Sequence, residues 1–205
     1  TWQQSIRNFN YSVRFTGTTI KNRVGNLGGT RIQKGDIGGG RLISMTEEGK
    51  SIGYFYGYRT AGIFQSQEEI DRYNAMAAQI SGNPDQKYQN NVAPGDLIYQ
   101  DLDGSGYVDD KDRTEIGSPI PKFIGGLGFS MDWKGIDFSF DFQGNFGNKI
   151  FNAKQIERYS GSDNWDTSFL DRWTENNKNT GVPRMTLEGN NYFVSDRYVE
   201  NGSYV

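Results

Sequence analysis

The sequence predicts an all-β fold of antiparallel strands separated by long polar loops, and three observations carry that prediction. Apolar and polar residues alternate with a period of two in three separate runs. Aromatic residues reach 14% while all hydrophobic residues together make up only 34%, with 27 glycines. That balance is too poor in aliphatic side chains for a helical bundle and too rich in aromatics for a disordered chain. The stretches between the runs are far longer than the connections of about 2–6 residues usual in compact domains.

The first run places Phe9, Tyr11, Val13 and Phe15 on one side of a strand and Asn10, Ser12, Arg14 and Thr16 on the other. Residues 25–40 are glycine-rich and read as a loop. A longer connection, residues 53–118, opens on Tyr54-Phe55-Tyr56-Gly57-Tyr58 and contains a helix over 66–80. Ser66 is its N-cap and Glu69 the capping-box partner, and Ser81-Gly82-Asn83-Pro84 ends it. From Phe123 the apolar set is Phe123, Leu127, Phe129, Met131 and Trp133, against Gly126, Gly128, Ser130 and Asp132. After Lys134-Gly135 the phase restarts with Ile136, Phe138, Phe140 and Phe142 opposed to Asp137, Ser139, Asp141 and Gln143, so the two runs form a hairpin. A last long segment, residues 147–190, is read as loop or weakly structured chain.

Periodicity alone leaves two architectures open. A soluble sandwich turns the phenylalanine face into its core, whereas an outer-membrane barrel turns it toward lipid and the polar face toward an aqueous lumen.

One local pattern carries definite chemistry. In residues 101–112, Asp101, Asp103, Ser105, Asp109 and Asp112 place oxygen donors at loop positions 1, 3, 5, 9 and 12. Position 7 offers the main-chain carbonyl of Tyr107, and Gly106 stands where the sharp turn falls. This spacing predicts a structural Ca²⁺ or similar hard cation that orders the loop. Position 12 is aspartate instead of the usual glutamate, and prolines at 94 and 119 exclude the long flanking helices of an EF-hand.

Other chemistries are excluded or unsupported. The chain has no cysteine and no histidine, which removes disulfides, Cys/His zinc sites and Ser-His or Cys-His catalysis. Carboxylates such as Glu68 and Glu69 are scattered and read as solvated surface, so no enzyme is predicted. A net charge of -3 without a basic block argues against nucleic acid. No apolar run approaches the roughly 18 residues of a membrane-spanning helix, a test that says nothing about β-barrels.

The order of motifs resembles a known family. Tyr54-Phe55-Tyr56-Gly57-Tyr58, Gly62-Ile63-Phe64-Gln65-Ser66, Pro94-Gly95-Asp96, Tyr99-Gln100-Asp101, the aspartate loop, and residues 116–123 (Ile-Gly-Ser-Pro-Ile-Pro-Lys-Phe) follow one another as in SusC/RagA-type TonB-dependent outer-membrane transporters. Lys134-Gly135-Ile136-Asp137, Gln143-Gly144-Asn145, Arg172-Trp173-Thr174-Glu175-Asn176, Pro183-Arg184 and Val199-Glu200-Asn201-Gly202-Ser203-Tyr204 continue the series. The resemblance covers most of the chain and implies that residues 1–205 are part of a receptor β-barrel domain, without plug domain, in the cell outer membrane.

It further implies import of oligosaccharides or other large nutrients, glycan or peptide, with a SusD-like lipoprotein as lid and with TonB acting through a plug outside these residues. The Phe123–Phe142 apolar set would then meet outer-membrane lipid, and the long loops would be extracellular. Tyr159, Trp165, Trp173 and Tyr192 are the aromatic candidates for contact with substrate or lid. A soluble extracellular, calcium-stabilised β-rich binding module remains the other reading.

Overall fold

The computed structural model describes residues 1–158, 166–187 and 189–205. Its strands are β1 (Trp2–Ile6), β2 (Phe9–Thr19), β3 (Ile32–Asp36), β4 (Leu42–Thr46), β5 (Tyr54–Gly57), β6 (Thr60–Ile63), β7 (Leu97–Tyr99), β8 (Thr114–Gly117), β9 (Phe123–Trp133), β10 (Ile136–Phe146), β11 (Lys149–Phe151) and β12 (Val199–Asn201). The α-helices are α1 (Gln67–Ser81) and α2 (Ala153–Arg158).

The alternating runs become one antiparallel sheet in the order β1-β2-β9-β10. Registers align like with like: Tyr11 pairs Met131, which pairs Phe138; Val13, Phe129 and Phe140 form the next row; Phe15, Leu127 and Phe142 the third. Because side chains alternate across a strand, these rows lie on one face. Phe140 stacks on Phe129 at 5.4 Å and packs against Phe142 at 5.2 Å, which makes the face a continuous aromatic surface.

The other face is a polar ladder. Asn10 donates to Asp132 at 3.1 Å, the Ser12 and Ser130 hydroxyls lie 2.8 Å apart, and Arg14 reaches Asp141 at 2.6 Å across the intervening strand. That last contact needs Gly128 between them, since a Cβ there would stand 2.5 Å from the Asp141 carboxylate. Arg14 and Asp141 are both more than half exposed, so the pair contributes little stability by itself.

The two ends of this sheet differ. β9 and β10 are joined by the two-residue turn Lys134-Gly135, both with positive φ, as a tight hairpin that follows the strand twist requires. β1 and β2 are joined at the same end by Arg7-Asn8. At the opposite end β2 and β9 are neighbours in the sheet, yet residues 20–122 connect them.

That connection is folded, and more of it is strand than the sequence reading expected. β3-β4-β5-β8 form a second sheet and β6 pairs with β7. The helix expected over 66–80 is α1, with the Ser66 hydroxyl accepting from the Glu69 amide at 3.3 Å. Its capping-box partner is displaced by one residue, because the Glu69 carboxylate accepts from the amide of Gln65 at 2.7 Å. The C-terminal segment is also more ordered than expected: β11 pairs with β12, and Ile156, Phe169 and Tyr198 form a buried cluster.

The buried apolar clusters among the described residues lie in these connections. Ile63, Leu97, Tyr99 and Trp173 form one, Phe64, Ile70 and Ile98 another, and Met45, Tyr54 and Tyr56 a third. None of the clusters includes a residue of β2, β9 or β10. Phe15, Phe138 and Phe142 remain 69%, 50% and 54% exposed.

Candidate functional site

The aspartate loop is built by backbone amides converging on carboxylates. Asp101 accepts from Gly104 at 2.8 Å and from Gly106 at 2.7 Å, and Asp103 accepts from Ser105 at 3.0 Å. Hydrogen bonding from the Ser105 side chain, and then from its amide, holds the Asp103 carboxyl below the usual carboxylate range. Asp112 is fully buried and accepts from Leu102 at 2.7 Å, Asp103 at 3.3 Å and Asp109 at 2.7 Å. Gly106 has φ +88 and packs against Ile80 of α1 so closely that a Cβ would stand 2.7 Å away. Glycine is therefore required there both by the turn and by the contact.

Ligand oxygens of Asp101, Asp103 and Asp112 can all lie within 4.8 Å of one another. The Ser105 hydroxyl lies 3.0 Å from the Tyr107 carbonyl oxygen, so these two further expected donors are also adjacent. Asp109 differs, since its carboxylate caps the following 3-10 turn by accepting from the Lys111 amide at 2.7 Å. Three clustered carboxylates suit a hard cation, and both oxygens of Asp112 also accept backbone hydrogen bonds.

The aromatic candidates separate. Trp173 is buried, 7% exposed, inside the Ile63–Leu97–Tyr99 cluster, and its indole N–H donates to Gln65 Oε1 at 3.0 Å. The ring is a packing anchor that ties the C-terminal segment to the β6-β7 pair. Tyr192 is half-buried, donates to the Thr186 carbonyl and lines a cavity. Tyr159 and Trp165 lie outside the described residues.

That cavity, about 390 Å³, is lined by residues from β3, β4, the segment after β5, the aspartate loop's exit and residues 189–194. Of its residues, the sequence named only Tyr192 as a candidate contact for substrate or lid. Tyr58, Tyr192 and Phe193 give it aromatic walls, and Tyr99 packs behind them without lining it. Tyr99 is fully buried with its hydroxyl donating to the Asn190 carbonyl at 2.6 Å, and Phe193 stacks on it at 6.1 Å with an interplanar angle of 20°. Tyr58 joins the shelf, 5.1 Å from Tyr99 and 5.8 Å from Phe193.

Charged groups stand beside this shelf. The Tyr58 hydroxyl donates to Asp110 at 3.3 Å; burial, and then the Asp110 charge, push its pKa well above the usual tyrosine range. Arg113 lies over the Tyr56 ring at 4.8 Å and near Tyr58 at 6.0 Å. Among the described residues its one hydrogen bond is a long 3.4 Å contact to the Leu42 carbonyl, and its buried Nε has no partner there. Arg41 lines the same cavity, its Nε donating to the Gly38 carbonyl at 2.9 Å.

Comparison with known proteins places the chain. No family model matches it. TonB-dependent receptor P3 of Formosa agariphila is 33% identical over 165 residues, 80% of this chain and 15% of that protein. TonB-dependent receptor P26 of the same organism is 30% identical over 208 residues, 97% of this chain and 19% of that protein. TonB-dependent receptor SusC of Bacteroides thetaiotaomicron is 26% identical over 121 residues, 58% of this chain and 12% of that protein.

Among solved structures, that of the RagAB peptide transporter matches 98% of this chain and 20% of its own at a TM-score of 0.65 and 19% identity, a likeness of fold. The chain thus spans less than a fifth of the length of the curated relatives named. These relatives are receptors, not enzymes, in keeping with a chain in which no catalytic constellation was predicted. Related in sequence across most of its residues to TonB-dependent receptors and in fold to RagAB, the chain belongs, as a segment, to the SusC/RagA-like TonB-dependent receptors.

Proposed function

We propose that the chain supplies barrel wall and extracellular loops to an outer-membrane TonB-dependent transporter. Its whole protein imports oligosaccharides or other large nutrients, with a SusD-like surface lipoprotein as partner and with TonB acting through a plug elsewhere in the receptor. One observation carries the membrane reading: the aromatic face of β2, β9 and β10 is exposed, while the cores of the described residues form elsewhere. A soluble sandwich would bury that face, whereas a barrel offers it to lipid. Strands β2, β9 and β10 are each 11 residues long, within reach of the roughly 9–11 residues that cross a bilayer.

The unequal ends of the sheet support one orientation. Outer-membrane barrels have short periplasmic turns and long extracellular loops. The Arg7-Asn8 and Lys134-Gly135 turns are then periplasmic, and residues 20–122 extracellular. The test uses the cysteine-free chain: Asn8→Cys and Asp85→Cys are placed singly in the full-length receptor, stripped of any other cysteine, and intact cells are treated with a membrane-impermeant maleimide. Asp85→Cys should label, and Asn8→Cys should label only after permeabilisation. Equal labelling of both on intact cells would sink the membrane-spanning assignment.

We also propose that the aspartate loop holds Ca²⁺ as a structural ion through Asp101, Asp103 and Asp112, with Ser105 and Tyr107 as neighbouring donors. Its support is the convergence of three carboxylates in a loop already shaped by backbone hydrogen bonds. Terbium added to the purified full-length receptor should luminesce through nearby tyrosines and be displaced by Ca²⁺. Asp103→Asn keeps an oxygen for the Ser105 amide and removes the charge, so it should weaken terbium binding about tenfold or more. Unchanged binding in that variant would place the ion elsewhere.

A further inference from the structure

The cavity over the Tyr58–Tyr99–Phe193 shelf belongs to no assigned site, and its chemistry is unbalanced in one respect. Arg113 is partly buried and has five N–H donors, but among the described residues it meets no carboxylate and makes one long hydrogen bond. Stacking over Tyr56 and Tyr58 orients its plane and offsets part of the desolvation. An arginine held this way is preorganised for an anion that brings its own oxygens, since a planar guanidinium matches carboxylate or sulfate in two-point contact.

The remaining wall suits a sugar ring. Phe193 is 42% exposed yet fixed by stacking on fully buried Tyr99, so it offers a rigid apolar face. Such a surface complements the C–H face of a pyranose, with little ordering entropy left to lose on binding. Asp110 supplies an acceptor for ring hydroxyls, beside the Tyr58 hydroxyl it already binds. Donor, acceptor and flat apolar face around about 390 Å³ accommodate a small part of a chain, not a whole polymer.

We propose that this cavity is a subsite for one acidic sugar unit, bearing a carboxylate or a sulfate ester, of the glycan the receptor imports. Arg113 binds the anionic group, Asp110 a hydroxyl, and Phe193 the ring face. The inference rests on the glycan-import reading above and adds a place and a charge preference to it.

The test takes the purified full-length receptor, with its lipoprotein partner, to an array of uronate-containing, sulfated and neutral oligosaccharides together with acidic and neutral peptides. The wild-type receptor should favour acidic saccharides, and the array separates carboxylate from sulfate. Arg113→Gln should weaken acidic saccharides about tenfold or more and neutral ones less than about twofold, with Arg113→Lys regaining part of the loss. Phe193→Ala, at a ring that is 42% exposed, should weaken every saccharide about tenfold, and it decides the matter alone if Arg113→Gln does not reach the membrane.

Wild-type glycan binding that both variants retain unchanged would overturn the subsite and leave the glycan reading standing. A preference for neutral saccharides would overturn the charge assignment. Retention of peptides alone, or of nothing on the array, would overturn the glycan reading and the subsite together.

Discussion

Replacing Asp96 with alanine is expected to destabilise the loop assembly by about 3 kcal/mol, because it strands an arginine, an asparagine and a backbone amide around a buried site. Asp96 is 3% exposed and accepts from Arg184 Nε at 2.7 Å, a second Arg184 nitrogen at 2.9 Å, Asn191 Nδ2 at 2.9 Å and the Ala93 amide at 2.8 Å. These partners come from segments almost a hundred residues apart, so one carboxylate joins the β6-β7 region to the C-terminal segment. The figure stands at the low end for a buried pair, since the Arg184 side chain is 35% exposed and regains some hydration. Limited proteolysis of the full-length receptor on intact cells should show cleavage in residues 83–95 or 174–187 at protease levels the parent resists. Asp96→Asn, which keeps an acceptor, should lie between the two. Parent-like resistance in Asp96→Ala would show that packing around Trp173 holds the assembly without the ion pair.

The second large effect belongs to the sheet. Phe140→Arg puts a charge near the middle of β10 on the aromatic face, and in the proposed barrel an arginine facing lipid there costs about 2–4 kcal/mol at the bilayer midplane. Ser139→Arg, one residue away, points to the polar face and should be tolerated. The expected result is loss of the compact, heat-modifiable band and of outer-membrane receptor for Phe140→Arg, with Ser139→Arg at parental levels. Phe140→Arg at parental outer-membrane levels, alongside Ser139→Arg, would end the barrel assignment, because an arginine at the lipid face of a barrel strand is costly.

Much of this was legible without coordinates. Phe9 to Phe15, Phe123 to Trp133 and Ile136 to Phe142 announced their strands because a half-apolar strand must alternate, and each strand carries that signal by itself. The helix after Ser66 was equally local, since its N-cap and terminating Gly82 act within a few residues. The aspartate spacing was readable for the same reason, and so was the family order of motifs.

Tertiary structure decided what depends on residues distant in sequence. That β2 lies against β9 is invisible in either strand, because the register is settled by matching faces across the connection of residues 20–122. β3, β11 and β12 are short and carry too few residues for a period, so their pairing depends on the partner strand. What Trp173 packs against could not be read from its neighbours, because neither Gly95 nor Gln65 is near it in sequence, although both close around it in space. Arg113 and Phe193 were passed over for the same reason: a cavity is a property of five separated segments, and no one of them encodes it. Local pattern thus determined which residues alternate, cap and cluster by spacing. Long-range packing alone determined which aromatics became core, which carboxylates became latches, and which arginine came to line a cavity without an ion-pair partner among the described residues.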